Sequence, residues 1–261
     1  MNVRPLQRPS VRPSPIFLAL VAVTGVGGVL AWQCGSDVER PLAYLGVFVF
    51  VIVGWLVSLC LHEFAHAFSA WRFGDRGVEA RGYLRLDPLK YSHPLLSLGL
   101  PVLIIAIGGI GLPGGAVYVQ TAGMTKRQRS LVSLAGPATN LVLAIVLLAA
   151  ARLGYDPQHA VFWAGVAFLG FLQVTAFVLN ILPVPGLDGY GALEPHLSPQ
   201  TRRTLAPIAP WGLFIVLLLL FTPRLNAWFW GVVLWFFDLS GVPNALVRIG
   251  STLTRFWSAW T

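Results

Sequence analysis

The stretch from Tyr44 to Trp71 reads YLGVFVFVIVGWLVSLCLHEFAHAFSAW, and its reading decides the fold. It is long and apolar enough for a helix that crosses a bilayer, which takes about 20 residues. Near its end stand His62-Glu63-Phe64-Ala65-His66. Histidines four apart face the same way on a helix, one turn apart, so both can bind one metal ion. Glu63 lies between them and can take a proton from a water at that metal. Two imidazoles and a carboxylate are costly in lipid and imply partners. With five His and four Glu in 261 residues, chance gives the His-Glu-x-x-His pattern in roughly one such chain in 700. The competing reading is a polar patch satisfied by neighbouring helices.

The rest of the chain agrees with a membrane setting. It is 56% hydrophobic and 11% charged, where a soluble domain is about 25% charged, and its mean hydropathy is +0.72. The sequence is read as an all-α polytopic integral membrane protein. The net charge of +8 does not point to nucleic acid, because the Arg and Lys residues lie in short segments flanking apolar runs. The two cysteines, Cys34 and Cys60, make no disulfide framework. Cys60 is two residues from His62 and so points to another helix face.

Apolar segments fall at 16–33, 42–71, 95–111, 131–152, 160–182, 206–222 and 225–240. Residues 1–15 carry Arg4, Arg8 and Arg12, each followed by proline, and read as a cytoplasmic tail. The run from Ile16 has no convincing signal-cleavage site and is taken as a retained anchor. With the N-terminus inside, a full crossing by 95–111 would put Lys126, Arg127, Arg129, Arg202 and Arg203 outside. A re-entrant or shallow segment there returns all five to the cytoplasm. The expectation is therefore six transmembrane helices plus a re-entrant segment near 95–111. Short β-strands are expected near 78–86 and 116–121, offering an edge to an extended peptide, with ordinary loop as the competing reading. Residues 16–240 form the membrane-embedded domain. Residues 241–261 place Leu246, Ile249, Leu253, Phe256, Trp257 and Trp260 at helical spacing, which suggests an amphipathic tail lying in the interface.

A catalytic zinc keeps three protein ligands and an open position. The candidates for the third are His93, His159, His196, Asp87, Asp188, Glu194 and Asp238. Asp188 is the best of them. It follows the fifth span in Asn180-Ile-Leu-Pro-Val-Pro-Gly-Leu-Asp-Gly189, where prolines and glycines break a helix near its cytoplasmic end. Two crossings between His66 and Asp188 put them on one side; three would not.

Three ordered motifs now carry a resemblance: His62 to His66, Ala135-Gly-Pro-Ala-Thr-Asn140, and Asn180 to Gly189. Together they resemble the site-2 protease family of intramembrane zinc metalloproteases. The segment Gly82 to Pro94, with Leu86-Asp-Pro-Leu-Lys90 and His93-Pro94, is similar to the compact subgroup without a PDZ insertion. The resemblance spans roughly residues 55–190 and implies roles. His62, His66 and Asp188 would hold one Zn2+, and Glu63 would be general base and then proton donor to the leaving amine. Asn180 would steady the substrate or the developing oxyanion. Asn140 would be a substrate-side polar group, although an Asn in a membrane helix is as readily an interhelical hydrogen bond. Gly186 departs from the family pattern, which often has a bulkier residue there. His93 is read as a loop residue near the mouth of the site.

The implied function is an intramembrane zinc endopeptidase of the bacterial plasma membrane. Its partners would be the lipid bilayer and a single-span transmembrane substrate, cut in regulated intramembrane proteolysis. Two other classes compete. A metal transporter or sensor would want ligands continuing along a pathway, and would need no base. A catalytically inactive assembly factor would not need an intact Glu63.

Overall fold

The computed structural model describes residues 11–90, 99–106, 117–255 and 257. Helix α1 (Pro15–Gln33) starts where Ser14 accepts the Phe17 N–H and Pro15 presets the first turn. Helix α2 (Pro41–Arg72) carries the His62-Glu63 motif in its last third. At 1.5 Å per residue α2 is roughly 48 Å long, longer than a hydrocarbon core of about 30 Å, so the motif lies toward one membrane boundary. Short helices α3 (Gly77–Ala80) and α4 (Leu100–Ala106) follow. Helix α5 (Lys126–Gly154) opens on a capping box, in which Thr125 and Gln128 satisfy each other's backbone N–H. Helix α6 (Ala160–Asn180) is the central helix, buried along most of its length. Helices α7 (Asp188–Leu193) and α8 (Pro199–Leu205) are short, and α9 (Gly212–Phe221), α10 (Pro223–Asp238) and α11 (Asn244–Thr254) complete the chain.

α2 packs against α1, α5 and α6, and α5 packs along α6. One continuous apolar core runs between them, with Val47 and Val51 of α2, Ala144 and Leu148 of α5, and Leu172 and Leu179 of α6. α5 leads away from the motif and α6 returns to it, so the polar ends of α2, α5 and α6 meet at one end of the bundle. The tail helix α11 buries Leu246, Val247, Gly250 and Leu253 against α6 and α2, so its apolar face is covered by the protein's own helices.

The all-α membrane architecture is present; two finer expectations differ. In place of six full spans, the described residues hold four helices long and apolar enough to cross, or five if Pro199–Trp211 and Phe214–Phe221, bent by 76°, count as one span. The break after α9 has a local cause: Thr222 is extended (φ −86°, ψ 114°) and Pro223 opens a new helix, leaving α9 and α10 with 10 and 16 residues. The two β-strands are not found among the described residues. Residues 78–86 form α3 and a 3-10 turn, Tyr83–Arg85, flanked by Gly82 (φ 80°) and Leu86 (φ 56°), a left-handed pair that no strand contains. Residues 117–121 pair with no strand among the described residues, and two of their backbone donors, the Val117 and Gln120 N–H groups, go to the carboxylates of Glu63 and Asp75. The segment 95–111 is described only over 99–106, where Leu100–Ala106 is helical; the rest of the expected re-entrant segment lies outside the described residues. The Arg/Pro tail up to residue 10 and His93 lie outside the described residues.

Candidate metal centre

The centre assembles from the ends of three helices. His62 and His66, both buried, point from α2 toward α5. Each imidazole is fixed through Nδ1. His62 Nδ1 lies 2.6 Å from Asn140 Oδ1, and His66 Nδ1 lies 2.7 Å from the Val132 carbonyl oxygen. Both acceptors are oxygens, so each ring carries its proton on Nδ1 and turns the Nε2 lone pair inward. The two Nε2 atoms stand 3.1 Å apart. Asp188, the first residue of α7, closes the triangle, with Oδ2 3.2 Å from His62 Nε2 and Oδ1 3.4 Å from His66 Nε2.

This donor set fits zinc. Bonds of about 2.0–2.1 Å in a tetrahedron put ligand atoms roughly 3.3 Å apart, and the three separations match. Two imidazoles held by oxygen acceptors with one carboxylate form the ligand class of a hydrolytic zinc that keeps a fourth position open. Among the described residues, His62, His66 and Asp188 are the group of metal-ligating side chains that converges in this way. His159 and His196, also candidates for the third ligand, are elsewhere: His159 bonds Asp156 at the far end of α6, and His196 meets Ser130.

Close packing makes the triangle possible. Gly136 of α5 faces both rings; an ideal Cβ there would stand 2.5 Å from His62 Nε2 and closer still to His66 Nε2. Pro137 follows it and offers no N–H to the Ser133 carbonyl four residues back. After α6, the chain from Ile181 to Leu187 delivers Asp188. Gly186 sits at φ 98°, and a side chain on it would collide with the Ala209 carbonyl oxygen. The departure at this position is thus a tight crossing against the turn Ala206–Trp211.

A cavity of about 320 Å³ opens over the donors. It is lined by Glu63, Asn180, Trp55 and Ser58 as well as the donors, and one wall is Val117, Val119 and Thr121. Glu63 is 2% exposed, and its Oε2 accepts the Val117 N–H at 3.1 Å. Asn180 ends α6 on the cavity wall. Asn140 also reaches the cavity, but its carbonyl oxygen is committed to His62. The site can therefore hold a dication and place a carboxylate base in the same chamber, beside a wall formed by Val117, Val119 and Thr121. The Val117 N–H, the Val132 carbonyl and the space at Gly136 were not singled out from the sequence. The first two are backbone groups with no residue signature; the glycine lay within a quoted motif, without its reason.

No family model and no solved structure matches the chain. Curated proteins do. A protein of Mycolicibacterium smegmatis named as a zinc metalloprotease, Rip2, is 70% identical over 260 residues, the full length of both chains. The Rip2 protein of Mycobacterium tuberculosis is 67% identical over 254 residues, 97% of this chain and 98% of that one. In Bacillus subtilis, YwhC, also named as a zinc metalloprotease, is 32% identical over 214 residues, 76% of this chain and 90% of that one.

Proposed function

The chain belongs to the site-2 protease family of zinc metalloproteases, and we propose that it cuts a peptide bond in the transmembrane segment of a single-span membrane protein. It is a multi-pass membrane protein and zinc is its metal. The observation that carries the proposal is the convergence of His62 Nε2, His66 Nε2 and an Asp188 carboxylate, 3.1 to 3.4 Å apart, at the end of an apolar membrane helix.

His62, His66 and Asp188 hold the ion. Zinc bound there supplies a Lewis acid that polarises a carbonyl and makes a water acidic near neutral pH. Glu63 takes the proton of the attacking water and returns it to the leaving amine. The Val117 N–H keeps its carboxylate turned into the chamber. Asn180, on the cavity wall, steadies the substrate strand or the developing oxyanion. Asn140 serves the site through His62 and the cavity wall it lines. A substrate helix hides its carbonyls in hydrogen bonds, so it must unwind before attack. The wall at residues 117–121 is the surface that receives the unwound stretch.

In this reading residues 16–240 are the peptidase domain, with a cytoplasmic N-terminal tail and a C-terminal helix that packs back on α6 and α2. His66 and Asp188 meet at one end of the bundle, as two crossings between them, α5 and α6, require. The active site then faces the cytoplasmic half of the bacterial membrane, and cleavage releases a cytoplasmic regulator. The test is Glu63→Gln in reconstituted bilayers with a single-span reporter. Zinc content should be unchanged and cleavage should stop; cleavage at the wild-type rate would overturn the proposal.

A further inference from the structure

Behind His62 the structure holds a buried chain of hydrogen bonds that ends where it began, on α2. His62 Nδ1–H donates to Asn140 Oδ1 at 2.6 Å. Asn140 Nδ2 donates to Gln173 Oε1 at 2.8 Å. Gln173 Nε2 donates to Ser58 Oγ at 2.8 Å, and Ser58 Oγ donates to the Trp55 carbonyl at 2.8 Å. The chain links α2, α5 and α6, and its side chains are buried: Gln173 is 0%, Asn140 4% and Ser58 5% exposed, with Asn140 and Ser58 at the cavity wall and Gln173 behind them.

We infer that Gln173 and Ser58 are positioning residues for the metal centre, which hold Asn140 with its oxygen toward His62 and so keep the His62 Nε2 lone pair on the ion. This rests on the reading of His62 as a zinc ligand. The argument is one of direction. Asn140 has a donor end and an acceptor end, and only the acceptor suits a metal-binding imidazole. A free amide can flip. Gln173 Oε1 blocks the flip by demanding a donor, and Gln173 is oriented in turn because Ser58, whose proton goes to the Trp55 carbonyl, presents an acceptor. The reverse sense would move the proton of His62 to Nε2 and remove the lone pair. A simple interhelical clamp needs no common direction; here all four bonds run one way and terminate on a backbone carbonyl. Successive bonds among buried side chains also polarise one another, making Asn140 Oδ1 a better acceptor and His62 a more basic ligand.

The experiment measures metal binding on the full chain in detergent, by zinc competition against a chromophoric chelator and by the visible absorption of the cobalt-substituted protein. Gln173→Leu and Gln173→Met should weaken zinc by about 10- to 100-fold and shift the cobalt bands. Gln173→Glu, which keeps an acceptor for Asn140 Nδ2, should restore both. Ser58→Ala, nearly neutral in volume, should give a smaller loss that does not add to that of Gln173→Leu. His62→Ala separates the two readings. If it binds zinc like the wild type, the metal-centre reading itself fails. If it loses zinc while Gln173→Leu, Gln173→Met and Ser58→Ala keep wild-type affinity and cobalt spectra, the positioning inference alone is overturned. A lowered unfolding temperature of the metal-free Gln173→Met protein with unchanged affinity and spectrum would also overturn it, since that marks a purely structural clamp.

Discussion

Glu63 Oε2 accepts the backbone N–H of Val117 at 3.1 Å, across 54 positions of sequence. Three residues on, the Gln120 N–H donates to Asp75 Oδ2 at 2.7 Å. Two carboxylates, one in α2 and one just past its end, thus pin the segment that forms a wall of the cavity. Asp75 is itself oriented by the Gly77 N–H and Arg81.

Replacing Asp75 with Ala should loosen that wall without touching the metal ligands. Zinc content should be retained and KM for a transmembrane reporter should rise about 10-fold, with a smaller fall in kcat. The lost bonds to a charged acceptor are worth about 1.5–3 kcal/mol each, so the unfolding temperature should also drop. Equal KM in mutant and wild type would show that the wall does not meet substrate.

Gly136→Ala places a methyl group among the His62 and His66 Nε2 atoms. There is no space for both the methyl and an ion, so bound zinc should fall by more than 10-fold, on the scale at which lost support weakens a metal site. Zinc per chain after dialysis reads this directly. A protein that keeps one zinc per chain would show that α5 can move away from α2.

Metal removal should destabilise the fold, because two inward lone pairs and a carboxylate are left facing one another within 3.4 Å. Zinc at about 100 times its dissociation constant adds roughly 2.7 kcal/mol to stability. A chelator should lower the thermal midpoint of the wild type, zinc should restore it, and His66→Ala should ignore both. A chelator-insensitive wild type would count against the donor triangle.

Cys34 and Cys60 are both buried and form no disulfide. Burial pushes the Cys34 thiol up, away from the reactive thiolate. Maleimide should label neither cysteine in the folded protein at neutral pH, and both after unfolding in denaturant. Rapid labelling of Cys34 without denaturant would show that the junction of α1 and α2 opens.

The candidate ligands that converge in the structure were legible because their spacing is itself geometry. His62 and His66 share a helix face by their separation alone, and Asp188 is one of few carboxylates beside a broken helix. The apolar runs of α1, α2, α5 and α6 were legible for a similar reason: their length matches the bilayer. Where the reading went astray, a local pattern was consistent with two structures. Val78 to Leu86 alternates as a strand would, but Gly82 and Leu86 turn the chain left-handed. The apolar runs at 206–222 and 225–240 have the composition of spans, but their prolines and the extended Thr222 interrupt them.

The sequence by itself determined the solvent, the helical class, the candidate donors and base, and the family resemblance. Tertiary structure decided how these groups are held. Which ring nitrogen of His62 faces inward depends on Asn140, and Asn140 depends on Gln173, 115 residues from its next partner, Ser58. A lone glutamine in an apolar helix has no periodicity to betray it. The same holds for the Val132 carbonyl and the Val117 N–H, since every non-proline residue offers both groups and only packing chooses which are used.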